Sequence, residues 1–350
     1  MVLRRILKQE DVFSKNEIKS DIWRSLPIWF FYLEALGLLH FVIANIDPAQ
    51  YKALGRTAFP FAVTALLSLA WVIGYYVLRI KNSDRLENKP YYYLVIPSLL
   101  AAPLVFTYVF YSSFPFFRVI LSQDYLRRLF EYLQLSWIVL FLLHALLHRG
   151  WQKFVTFYIV GFVYGLLLEN TGIVLGYFHE TDYLFYLWRL PAPFATMMGW
   201  CLVFYCCIWV AEYFREQFKW FRGSPLRSAF LTTCVALSLD IQLDPIASLS
   251  GVFWKWNDAL PQWFLSVPFC NFAAWFGAFM PFAWAYFYLQ ERKDLNETQK
   301  NWKLFVHVPL IAVAAGIIWL LLMTIFEGGF SGPTYQILDA FFDKIIPYPT

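Results

Sequence analysis

Nine stretches of roughly 20 apolar residues, each about the length that crosses a bilayer core of about 30 Å, recur along the chain. They run from about Pro27 to Asn45, Phe59 to Ile80, Tyr91 to Phe110, Leu129 to Leu147, Phe154 to Leu175, Pro193 to Tyr213, Arg227 to Leu249, Pro268 to Leu289 and Leu304 to Phe326. Backbone groups in lipid must find partners within their own segment or within a closed barrel. The period-2 alternation of an outer-membrane barrel is absent, so the expected fold is an all-α integral membrane protein, a polytopic bundle of about nine transmembrane helices. A composition of 60% apolar and only 15% charged residues excludes a soluble fold of this size.

The basic residues sit between the apolar runs, where orientation explains them. Of the 28 lysines and arginines, 20 fall in the N-terminal arm and the even-numbered connections, and 8 in the odd-numbered connections and the tail. That alternation predicts a multi-pass protein of the cytoplasmic (inner) membrane, with its N-terminus in the cytoplasm and its C-terminus outside. Residues 1–26, polar and basic with no small-residue cleavage site, read as a cytoplasmic arm feeding a retained helix. No basic patch for nucleic acid is visible. The five cysteines lie in apolar stretches without CxxC spacing, which points to small buried side chains rather than a disulfide framework or zinc site.

Acidic residues inside apolar runs are the candidate chemistry, since a carboxylate at the bilayer centre costs roughly 2.5–3.5 kcal/mol even on lenient scales. They are Glu169, in Glu-Asn-Thr-Gly, and Asp240 and Asp244, in Leu-Asp-Ile-Gln-Leu-Asp-Pro from Leu239 to Pro245. By the expected topology these three and Asn271 all lie toward the non-cytoplasmic side, and Asn271, at the start of the eighth helix, is either an orienter for water and carboxylate or a helix cap. Asp240 and Asp244 are four apart and share a helix face. Repulsion and burial predict that at least one keeps its proton, which would make it an acid. Pro245 disfavours α geometry at Asp244 and is expected to open the helix there. The alternative is that the aspartates cap a broken helix or pair with Arg189 or Lys255 from the outer loops.

Histidine content excludes the membrane di-iron oxygenases, which need several histidine boxes, whereas this chain has five histidines in all. His144 and His148 share a helix face and are expected at the membrane interface. His179, in the outer turn between Tyr177 and Glu180, is either a proton relay or an exposed loop residue. Glu34 and His40 form a second polar patch suited to helix-helix hydrogen bonding. No Walker motif, GxGxxG, GxSxG or HExxH occurs.

The elements from Glu169 onward have a characteristic order. Glu169 to Gly172 is followed by Gly-Tyr-Phe-His-Glu-Thr-Asp at Gly176 to Asp182, Arg-Leu-Pro-Ala-Pro at Arg189 to Pro193, and Gly199-Trp200. Asp244-Pro245, Trp254-Lys255-Trp256 and Pro-Phe-Cys-Asn-Phe-Ala-Ala-Trp at Pro268 to Trp275 come next. This order resembles the membrane carotenoid hydratases, the family of the bisanhydrobacterioruberin hydratases of haloarchaea and the carotenoid hydratases of cyanobacteria and green bacteria. Where that family commonly has Pro-Phe-Gly before its Tyr-x-Tyr, this chain has Val174-Leu175-Gly176 before Tyr177-Phe178-His179.

The resemblance covers a core at 129–290, leaving 27–128 as additional or diverged helices and 291–350 as a last helix and tail. It implies an integral membrane lyase of carotenoid biosynthesis. Water would add, without a cofactor, to the terminal C=C of an acyclic or monocyclic carotenoid. The partners implied are a membrane-dissolved carotenoid or related isoprenoid, the bilayer and other carotenoid-pathway enzymes. Asp244, Asp240, Glu169 and Asn271 would carry the catalysis. Asp244 or Asp240 would donate the proton, while Glu169 with Asn271 would position or deprotonate the water. Tyr177, His179, Trp254, Trp256, Trp275, Gly172 and Gly176 would face the substrate, with aromatic rings suited to a tertiary cation. Aromatics of an interfacial belt are the alternative for those rings. Glycines such as Gly172, Gly176 and Gly251 would admit a rigid polyene. A non-catalytic isoprenoid-binding partner and a proton-coupled transporter stay open as other functions, although no internal repeat of the transporter kind is evident.

Overall fold

The computed structural model describes residues 26–27, 123–180, 182–250, 253–264 and 267–345. The first three expected spans, the N-terminal arm, Glu34, His40 and Gly251 lie outside the described residues, and with them any test of the count of nine.

Within the described residues five helical stretches are long and apolar enough to cross a membrane: Phe130–Leu175, Phe194–Glu216, Pro225–Pro245, Phe269–Glu291 and Val308–Phe326. The first is 46 residues long and would reach about 70 Å if straight. It folds back instead. Helix α1 (Gln123–His144) runs into a π-helical turn, Ala145–Arg149, and the chain reverses at Gly150, whose φ of +78° and ψ of 173° leave helical space. A glycine tolerates that conformation without a Cβ clash. The return leg is α2 (Gly150–Phe154), a second π turn (Val155–Val160) and α3 (Gly161–Leu175). Near the start of α1, the Glu131 carboxylate accepts the backbone N–H groups of Leu184 and Phe185 at 2.8–3.1 Å. Phe130 packs on Tyr183 and Phe253. Those partners follow the end of α3 in sequence, so the two legs begin and end at the same face of the bundle. They correspond to the separate runs expected at Leu129–Leu147 and Phe154–Leu175.

The other long helices are α4 (Phe194–Gln217), followed by the short α5 (Lys219–Arg222), α6 (Pro225–Ser250), α7 (Phe269–Glu291) and α9 (Val308–Phe326). The last expected run, Leu304–Phe326, is divided. Its first residues belong to α8 (Glu297–Val306), which opens with an Asn296–Gln299 capping box. Pro309, in the first turn of α9, cannot supply the N–H that would continue α8. A short amphipathic helix, α10 (Pro333–Ile345), ends the described chain. Contrary to a purely helical reading, the loops carry short antiparallel pairings. Strand β1 (Phe178–His179) pairs with β2 (Lys255–Trp256), and β3 (Gln262–Phe264) with β4 (Val267–Pro268).

Helix α7 lies between α6 and α9, and α4 packs on α1, α3 and α6. Aromatic rings fill the centre, with Tyr164 stacked on Phe282 at 5.3 Å and Phe204 tilted against Phe282 at 4.4 Å. The Tyr164 hydroxyl donates to the Ala278 carbonyl at 3.0 Å, which removes the cost of burying it. Small residues bring helices together: a Cβ built on Gly277 would lie 2.7 Å from the Ala315 carbonyl oxygen of α9. All five cysteines are buried, as their apolar setting predicts, and none forms a disulfide among the described residues. His144 departs from the interfacial expectation. It is fully buried, and its Nδ1 lies 2.6 Å from the Tyr205 hydroxyl, because the α1–α3 hairpin packs that face of α1 on α4.

Candidate active site: two carboxyl pairs at an aromatic cavity

Helix α6 places Asp240 and Asp244 one turn apart on the face toward α7, where Asn271 is the third residue of its helix. The Asn271 amide donates to Asp240 at 3.0 and 3.2 Å and to Asp244 at 2.5 Å. One NH₂ group, with two hydrogens, thus serves two carboxyls. All three residues are buried. Asn271 is therefore a bridge between helices rather than a cap. Pro245 does not end α6, which remains helical to Ser250. The packing of α6 against α7 and the Asn271 bridge override the local preference. Lys255 pairs with Asp258, and Arg189 lies over the Trp188 ring. Neither reaches the aspartates.

A second pair faces the first. Glu169, on α3, accepts the indole N–H of Trp200 at 2.6 Å. Its neighbour is Glu180, which follows β1 and lies within hydrogen-bonding reach of it. The Thr196 hydroxyl donates to Glu180 at 3.0 Å. A Cβ on Gly165 would stand 2.5 Å from the Trp200 Cβ, so only glycine lets that indole lie close enough to α3 to hold Glu169. Asp244 interacts electrostatically with both Glu169 and Glu180. Among the described residues no lysine or arginine forms an ion pair with any of the four carboxyls, and no group of three or more His, Cys, Asp and Glu is arranged to hold a metal ion.

Between the pairs is a cavity of about 300 Å³ with mainly apolar walls. Glu169, Glu180, Asp244 and Asn271 are among its polar lining, and Tyr177, Trp200, Trp254, Trp256 and Trp275 among its aromatic lining. Gly172 also lines it. A Cβ there would meet the Phe178 ring at 2.4 Å, so the glycine lets that ring close the wall. Asp240 sits behind Asp244 and reaches the site through Asn271. Two residues expected to face a substrate do not line the cavity. His179 is exposed and pairs across β1–β2 with Lys255, because strand alternation turns it away from the side taken by Phe178 and Glu180. Gly176, at φ +84°, ends α3, and its carbonyl accepts from the Asn257 side chain at 2.8 Å.

Glu180, Thr196 and Trp200 are the residues that sequence reasoning missed. Glu180 stands in a loop, where an acid is ordinarily solvated. The one clue to its burial is its two-residue spacing from Phe178 along extended chain. Thr196 and Trp200 are four apart and share a face of α4.

Burial, and then the charge of Glu169 beside it, push the Glu180 carboxyl well above the usual carboxylate range. Above about pH 5 an unfolded chain releases this proton while the folded protein keeps it, so stability falls as pH rises, by at most about 1.4 kcal/mol per pH unit. Thermal unfolding of Glu180→Gln in detergent should decline less steeply with pH than that of the parent protein. Equal slopes would mean that Glu180 is ionised in the fold.

No curated protein and no solved structure matches the chain. A family model described as "Carotenoid biosynthesis protein" matches residues 129–333, more than half of the 350. The matched segment contains all four carboxyls, Asn271 and the aromatic walls of the cavity. The chain with this buried carboxyl site belongs to the carotenoid biosynthesis protein family.

Proposed function

We propose that this membrane protein is a carotenoid hydratase, adding water without a cofactor to the terminal C=C of an acyclic or monocyclic carotenoid. The observation that carries the reading is the placement of two separate buried carboxyl pairs around one aromatic-walled cavity. Hydration of an isolated trisubstituted alkene needs an acid, a surface that tolerates a tertiary cation, and a base for the attacking water.

Asp244, held with Asp240 by Asn271, donates a proton to the less substituted alkene carbon, forming a C–H bond from the π electrons. The cation on the neighbouring carbon faces the rings of Trp254, Trp256, Trp275 and Tyr177. Water attacks it, and the Glu169–Glu180 pair takes the proton released. A net proton moves from one pair to the other, and its return through Asp244 and Glu169 restores the site. This assignment replaces Asn271 with Glu180 as the partner of Glu169, because Asn271 is committed to the aspartates.

A cavity of about 300 Å³ is at the small end of ligand sites. It suits the end group of a polyene whose remaining length lies in the bilayer. Arg149, Lys153 and Arg215 pair with Glu212, Glu297 and Glu291 at the opposite end of the bundle. With the basic bias of the connections, this supports a cytoplasmic N-terminus in the inner membrane and a site in the outer half.

Expression in a lycopene-producing host tests the reading. The expected pigment has gained one or two waters. Unchanged lycopene co-purifying with the protein would instead favour a non-catalytic isoprenoid-binding partner.

A further inference from the structure

Trp254 and Trp256 are two apart along extended chain, so both indoles point to one side and Lys255, exposed and paired with Asp258, to the other. The pairing of Phe178 with Trp256 across β1–β2, and the 5.4 Å edge contact between their rings, hold the segment in place. Trp254 packs on the Phe130–Tyr183–Phe253 cluster. Both indoles line the cavity. Both ring N–H groups are also buried without a hydrogen-bond partner.

An indole N–H can only donate. Leaving one buried and unpaired forfeits its hydration without a replacement bond, and such groups are rare in folded proteins. The contrast with Trp200, in the same cavity, is direct: its N–H is satisfied by Glu169. Two indole donors without a partner, on residues that line one cavity, call for an acceptor carried by what the cavity binds. A hydrocarbon end group has none.

We infer that Trp254 and Trp256 form a two-donor site for a hydroxyl oxygen on the end of a bound isoprenoid, so that the cavity prefers a terminal tertiary alcohol to the parent alkene. This rests on the proposed function only in taking an isoprenoid end as the occupant. In the hydratase reading the same donors hold the alcohol once it has formed and the cation is gone.

The experiment is equilibrium binding of two pigments to the full-length protein in lipid nanodiscs. The first pigment is lycopene and the second is the tertiary alcohol formed by adding one water to one of its ends. The parent protein should bind the alcohol about tenfold more tightly, the yield of two modest hydrogen bonds. Trp254→Phe combined with Trp256→Phe keeps aromatic rings and removes both donors. It should bring the ratio of the two affinities to about one. Equal affinity of the parent protein for the two pigments overturns the inference, whatever the variants do. Equal loss of both affinities in the variant also overturns it, and would make the indoles packing residues. A preference that survives in the variant, with turnover lowered, assigns the N–H groups to water and overturns it as well. Because binding rather than turnover is read, a protein that prefers the alcohol but hydrates nothing would keep this inference and lose the hydratase reading.

Discussion

In the proposed hydratase, Asp244→Asn should lower hydration by about 10² or more, the usual scale for a general acid, while the protein stays folded and inserted in the membrane. The amide matches the carboxyl in size, and its own oxygen can accept the hydrogen that Asn271 now gives to Asp244 at 2.5 Å. What it lacks is a transferable proton. Trp209→Phe is the control, since Trp209 stacks on Tyr213 along α4 and does not line the cavity. It should cost little activity. Pigment analysis of matched membranes measures both. Full hydration by the Asp240→Asn, Asp244→Asn double variant would remove the aspartate pair from the mechanism.

Glu212→Ala should destabilise the bundle by about 3 kcal/mol, the scale for stranding one partner of a buried ion pair. Glu212 accepts from Arg149 and from the Tyr286 hydroxyl, the latter at 2.8 Å, and Lys153 donates to the same hydroxyl at 3.0 Å. The Arg149 and Glu212 side chains are only 27% and 21% exposed. Truncation leaves the guanidinium at the Gly150 reversal without its counter-charge, and removes one polar tie of the reversal to α4 and α7. The melting temperature in detergent should fall by several degrees, with Glu212→Gln intermediate because it keeps hydrogen bonds and loses charge. Hydration per folded molecule should be unchanged, since the cavity lies at the other end. An unaltered melting temperature would mean that this network does not hold the hairpin.

The parts of this architecture that hydropathy can encode were legible. Six apolar runs from Leu129 onward correspond to helical legs, and the reversal at Gly150 falls where two of them were separated. The four-residue spacing of Asp240 and Asp244 carried their shared face, and Glu169 stood out as an acid in an apolar run. Long-range contact decided the remainder. Asn271 could equally have been a cap until α6 supplied its partners. Glu180 is buried by the folding of its loop over the bundle, and His144 by the packing of α1 on α4. Neither event leaves a periodic trace in the chain. Pro245 shows the converse, a strong local preference overridden by the tertiary contacts around it.

The source of the added oxygen tests most directly the proposed addition of water to a carotenoid end by buried carboxyls. Purified protein in nanodiscs is supplied with lycopene in water enriched in heavy oxygen, and the pigment is analysed by mass spectrometry. The account predicts a tertiary alcohol whose hydroxyl carries the heavy isotope, formed equally well without molecular oxygen, and lost in Asp244→Asn. A hydroxyl bearing light oxygen drawn from air, or lycopene recovered unchanged beside correctly folded protein, would contradict it.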